Sequence, residues 1–237
     1  MNKQKITAAL AAPLLALLAA LGSGCSLQQP TAYYQLQGQG DAVVAGHADS
    51  AILLGPVKLA DYLQREQILQ RQADGSLSSG HARWAGSLDD EVGQLLLRQL
   101  AAQLGNSHVA LYPDRIGVRQ QAQLVVSISR LDSGAEQPAV LEAQWRLLDA
   151  EGEIHDSKVI SLQASHAGDL SSQISAQSSL LAQLSEQLAA ATKQLNRQQH
   201  QTGQSKQVRA DAAPTKSDKE TNRPAGKAVN EPEVYRF

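Results

Sequence analysis

The sequence predicts an α+β fold: a mixed, largely antiparallel sheet packed by two main helices, with a disordered C-terminal tail. Three observations predict it. Three segments between residues 121 and 165 alternate apolar and polar side chains with period two, the pattern of strands with one buried and one wet face. Two segments, 88–104 and 170–198, repeat apolar residues at a spacing of three and four, which places them on one face of a helix. From Gln199 onward Pro214, Pro224, Pro232 and interspersed charges replace the apolar residues, so that stretch cannot bury enough surface to offset its ordering entropy. The expected organisation is a signal peptide over 1–24, a tether over 25–30, one α+β domain over 31–198 and a polar tail over 199–237.

Composition narrows the function classes. Charged residues make up 19% of the 237 positions and the formal net charge is −2, so no global field draws the chain to nucleic acid. Aromatics are 3%, which leaves a core of Leu, Val, Ile and Ala. A single cysteine excludes an intrachain disulfide and a zinc site built on several cysteines.

That cysteine has a context. Lys3 and Lys5 precede an apolar run over 6–21, which is shorter than the roughly 20 residues of a spanning helix. Leu21-Gly22-Ser23-Gly24-Cys25 comes next and resembles a bacterial lipoprotein signal peptide, with Leu21 one place further from the cysteine than usual. The resemblance implies that Cys25 receives a diacylglyceryl group and, after cleavage, an acylated amine. Each buried CH₂ contributes about 0.8 kcal/mol, and stable attachment takes about two membrane signals, which three acyl chains exceed. Ser26 stands where an aspartate often retains lipoproteins at the inner membrane. By analogy the mature protein sits on the periplasmic face of the outer membrane.

The elements are taken in chain order. Residues 31–37 form a first strand with Tyr34 and Leu36 on one face. Gly38 and Gly40 do not begin a phosphate cradle, because Val43 stands where the third glycine would fall. Residues 51–58 form a continuous apolar strand that bends or becomes an edge at Pro56, which cannot donate to a ladder. A short turn over 59–64 leads to a strand over 67–72, and Asp74-Gly75 turns into a return strand over 77–81. Ser87 as N-cap with Asp90 three residues on predicts a capping box. Leu88, Val92, Leu95, Leu96, Leu100 and Leu104 make the buried stripe, and Gly105 closes the helix. A short strand over 109–112 precedes the three alternating segments, an antiparallel meander. The long helix, capped by Asp169 or Ser171, carries Ile174, Leu181, Leu184, Leu188, Ala191 and Leu195, with Gln177 at one expected apolar place. Its stripe covers the meander or, alternatively, forms a coiled-coil seam. Val234 to Phe237 offers a docking peptide or an uninvolved end.

Catalytic chemistry finds little support. The histidines, His47, His81, His108, His155, His166 and His200, show no i, i+4 pair on a predicted helix and no H-E-x-x-H; no metal or cofactor site is expected. No G-x-S-x-G occurs. Asp89, Asp90 and Glu91 sit in a first helical turn, where they compensate the helix dipole. An enzyme is not expected. Tyr62, Arg65, Arg71 and Trp84 are the candidate partner-binding residues. Arg65 and Arg71 flank a strand and serve either contact or protection of its edge; Tyr62 and Trp84 fit an interface or a core margin.

Taken together, the lipobox, Tyr33-Tyr34-Gln35-Leu36, Leu54-Gly55-Pro56-Val57, Tyr62-Leu63, Gln67-Ile68-Leu69-Gln70-Arg71 and Arg83-Trp84-Ala85 before a leucine helix resemble the ABC-type transport auxiliary lipoproteins, in particular their paraquat-inducible, PqiC-like branch. The resemblance spans about 25–198 and omits the tail. It implies an α+β fold in a homo-oligomeric ring and an outer-membrane lipoprotein working with an MCE-domain periplasmic protein and inner-membrane components. It implies movement of lipid across the periplasm in support of envelope integrity. No cargo residue carries over. The alternatives are a scaffolding envelope lipoprotein without transport and a small-molecule binding module, the latter without an evident aromatic pocket.

Overall fold

The computed structural model describes residues 30–38, 50–105, 107–114 and 119–211. The elements are β1 (Tyr33–Tyr34), β2 (Ser50–Leu59), a single 3-10 turn (Asp61–Leu63), β3 (Gln67–Arg71), β4 (Leu77–Trp84), α1 (Leu88–Leu104), β5 (Val109–Leu111), β6 (Arg119–Asp132), β7 (Ala139–Asp149), β8 (Ile154–Ala164) and α2 (Leu170–Asp211). The fold is α+β, as expected, and its strands form two sheets. The smaller has the order β1-β4-β3 and the larger β5-β2-β6-β7-β8.

The larger sheet is built around β2. Both neighbours, β5 and β6, run parallel to it, while β6, β7 and β8 form the expected antiparallel meander. β2 is paired on both edges; Ile52 and Leu54 lie in the core, while Leu53 on the opposite face is half-buried. The expected break at Pro56 is present. The Gly55–Pro56 peptide is cis, pairing with β5 ends at Leu54, and the register with β6 shifts between Leu54 and Val57. Proline has no N–H to offer, so it falls where one partner strand has ended.

One buried cluster joins the sheets and helices. Leu88, Val92, Leu95, Leu96 and Leu100 of α1 and Ile174, Leu181, Leu184, Leu188, Ala191 and Leu195 of α2 belong to it, with Leu124, Leu141 and Trp145 of the meander. Each large side chain so buried contributes about 1.5–3 kcal/mol, which makes these stripes the main hold on both helices. The chain divides into two compact units after Leu195, and the described part of the second unit is the helical stretch 196–211.

Four local expectations are corrected. The first strand pairs only at Tyr33–Tyr34, because Leu36 leaves the ladder to enter the core. The return strand runs on to Trp84, which pairs with Tyr34. Ser87 makes no side-chain cap bond and the capping box does not form. Asp90 is one methylene shorter than the glutamate of such a box, and the longer Glu91 accepts the Leu36 N–H at 3.0 Å instead. The long helix continues past Gln198 to Asp211, since its first proline is Pro214 and Gln, Lys and Arg are sound helix formers. The expected disorder of residues 212–237 lies outside the described residues. Two other expectations hold at the helix ends. Gly105, at φ +61°, closes α1, and Asp169 caps α2 by accepting the Ser172 N–H at 3.0 Å.

Candidate functional site

The four candidate partner residues do not share one surface. Tyr62 and Arg71 converge on a buried acid that sequence reading missed, while Arg65 and Trp84 line an open cleft.

The acid is Asp132, the last residue of β6, only 1% exposed. Arg71, ending β3, donates from Nε to Oδ1 at 2.9 Å and from Nη2 to Oδ2 at 2.6 Å. Arg130 donates from Nε to Oδ1 at 3.0 Å. Tyr62, in the 3-10 turn, donates its hydroxyl to Oδ2 at 2.9 Å and accepts the Leu131 N–H at 3.4 Å. Each carboxylate oxygen therefore takes two donors, which fills its capacity. A base or nucleophile needs a free lone pair, and both Asp132 oxygens spend theirs on these four donors, so Asp132 acts as a structural knot.

The knot extends through its neighbour. The Ser133 carbonyl accepts the Arg71 N–H at 2.8 Å. The Ser133 hydroxyl donates to Gln173 Oε1 at 3.0 Å and accepts from Gln177 Nε2 at 2.9 Å. Gln70 Nε2 donates to the same Gln173 oxygen at 3.1 Å. Both sheets and α2 thus meet at residues 132 and 133. Gln177, which stands where an apolar residue is expected, is there to bond Ser133.

The electrostatics derive from this packing. Burial pushes the Tyr62 hydroxyl up to about 12, reinforced by the Asp132 charge and the hydrogen bond to it. Burial alone would raise Asp132, but the hydrogen bonds from Arg71, Tyr62 and Arg130 outweigh it and hold the carboxyl below its ordinary value. The Asp132 hydrogen bond raises Arg71 further above its already high value. Tyr62 binds its proton more tightly folded than unfolded, so its contribution is complete below about pH 10 and fades as pH rises toward 12. Tyr62→Phe should cost about 2 kcal/mol at pH 7, the worth of a hydrogen bond to a charged group. In urea unfolding the gap between the two proteins should narrow from pH 10 upward. A gap independent of pH would show that the hydroxyl is not bonded to Asp132.

The cleft opens between the end of β4 and the start of α1. Its volume is about 530 Å³, and Tyr33, Arg65, Glu66, Trp84 and Asp89 are among its lining residues. Trp84 is buried, Tyr33 is 65% exposed, and Arg65 is exposed. Glu66 pairs with Arg83 at 2.6 Å on the surface. Burial, and then the charge of Asp90, raise the Asp89 carboxyl. Tyr33 was legible as an aromatic at a strand start, but its exposure was not. Among the described residues no group of three or more His, Cys, Asp or Glu is placed to hold a metal. Cys25 lies outside the described residues.

The fold and site define an α+β domain with a filled polar knot and an open, mixed-charge cleft. The chain belongs to the ABC-type transport auxiliary lipoprotein component family, whose model matches residues 34–189, more than half of its length. Among solved structures, protein XCC0632 from Xanthomonas campestris is 18% identical; the match covers 71% of this chain and 98% of that one, with a TM-score of 0.57. A crystal structure described as that of an uncharacterized protein is 19% identical over 68% of this chain and 98% of that one, also at a TM-score of 0.57. These likenesses show the fold. A search among curated protein sequences found no match.

Proposed function

We propose that this protein is the non-enzymatic outer-membrane lipoprotein of an MCE/ABC-type intermembrane lipid transport system that supports envelope integrity. It is acylated at Cys25, faces the periplasm, self-associates, and works with an MCE-domain periplasmic protein and its inner-membrane components. The observation that carries the reading is the family match over residues 34–189 downstream of the Leu21–Cys25 lipoprotein signal. Tyr62 and Arg71 serve assembly by holding β3 onto β6 through Asp132. Arg65 and Trp84 serve it at the cleft.

Crosslinking in cells and subsequent affinity purification test the partners: an MCE-domain protein should be recovered, and its consistent absence would sink the reading. Density-gradient fractionation should place the protein with outer-membrane markers. Cys25→Ala should move it to the soluble periplasmic fraction without changing its unfolding midpoint, since Cys25 lies upstream of the family domain at residues 34–189. Continued sedimentation of that variant with membranes would remove the anchor from the account.

A further inference from the structure

We propose that the cleft between β4 and α1 is the face this protein turns to its own membrane, where it takes zwitterionic phospholipid headgroups. The inference rests on the Cys25 anchor of the proposed function and is independent of the transport partners.

Seven residues lie between Cys25 and Tyr33 at the cleft, a path of eight Cα–Cα steps. Fully extended, they span about 28 Å at roughly 3.5 Å per residue. A globular domain of roughly 170 residues is about 40 Å across. The tether is shorter than the domain is wide, so the side opposite Tyr33 cannot be brought to the bilayer. The exit point is also fixed. Tyr33 pairs with Arg83, the Ala85 N–H donates to the Tyr34 carbonyl at 2.9 Å, and the Gln37 N–H donates to Ser178 Oγ at 3.1 Å.

An exposed tyrosine ring suits the headgroup level of a bilayer, with an apolar body and a polar tip. Among the described residues Arg65 makes no hydrogen bond or ion pair, which leaves its planar fork open to a phosphate. The same cleft carries the carboxylate of Asp89, which suits a headgroup ammonium, whereas Glu66 is already paired with Arg83. An anionic lipid surface is recognised by clusters of about four to eight Lys and Arg, which these lining residues do not provide. One open cation beside one open carboxylate matches a headgroup that carries both signs.

Hydrogen–deuterium exchange on the full-length acylated protein tests this, in phosphatidylethanolamine vesicles, in phosphatidylglycerol vesicles and in detergent. In phosphatidylethanolamine, peptides covering 33–37 and 64–67 should exchange about threefold more slowly than in detergent, with β8 unaffected. Tyr33→Ser should remove that protection while the protein stays membrane-bound and keeps the same co-purifying proteins, and Arg65→Glu should remove it while the protein stays membrane-bound. Protection at β8 instead, none at the cleft, or equal protection in phosphatidylglycerol would overturn the inference alone. So would variants that keep the protection and lose a co-purifying protein, which would mark a protein docking site. A wild-type protein that carries no acyl group would overturn both this inference and the anchored reading.

Discussion

Asp132→Ala is expected to lower the unfolding free energy by about 3 kcal/mol, the lower end of the cost of leaving buried charges without their partner. The lower end applies because Arg71 and Arg130 keep 22% and 27% side-chain exposure and can turn toward water. For a domain of this size the unfolding midpoint should fall by roughly 9 °C. Thermal and urea unfolding of the purified, non-acylated protein measure it, and a loss below about 1 kcal/mol would mean that the knot is not coupled to stability. The acid limb has a definite sign. Asp132 is held low in the folded state, so its contribution is present above the unfolded carboxylate value of about 4 and is lost as pH falls through the folded one. Asp132→Asn should lack that component.

The second large effect is Gly134→Ala. A Cβ at this buried position would overlap the backbone carbonyl oxygen of Arg71, and it would also crowd Gln137. A backbone atom in a paired strand cannot swing aside. The Arg71 N–H to Ser133 carbonyl bond and the Gln70–Ser133 bridge would have to part. The expected cost exceeds about 4 kcal/mol, in the range reserved for substitutions that break a structural junction. Gly80→Ala is the control, since an added Cβ there meets nothing within 4 Å. The soluble yield and midpoint of the two variants should differ widely; equal midpoints would show that β3 and β6 do not approach this closely.

Most of the fold was legible because period and punctuation are local signals. The leucine stripe of α1, the three alternating segments and the Gly105 stop each depend on residues within a few turns of one another. The division into two sheets was not legible, because nothing in the 67–84 hairpin states that it pairs with Tyr33–Tyr34 instead of joining the meander. The knot was half legible. Tyr62 and Arg71 stood out as large side chains near a strand, but Asp132 looked like an ordinary polar strand end before Ser133-Gly134. Its partners lie 61 and 70 positions away in sequence, beyond any local pattern. The contact of Glu91 with Leu36, 55 positions away, was equally out of reach of a local pattern.

The attachment of residues 33–37 also has a mechanical meaning. In a protein acylated as proposed at Cys25, any pull on the anchor would enter the domain at β1. There the load splits three ways: along the ladder to β4, through Glu91 into α1, and through Ser178 into α2. A two-residue strand alone would peel under such traction. With the Leu36 side chain seated among core residues, detachment has to extract a buried leucine, so tension on residues 33–37 is resisted by the whole domain.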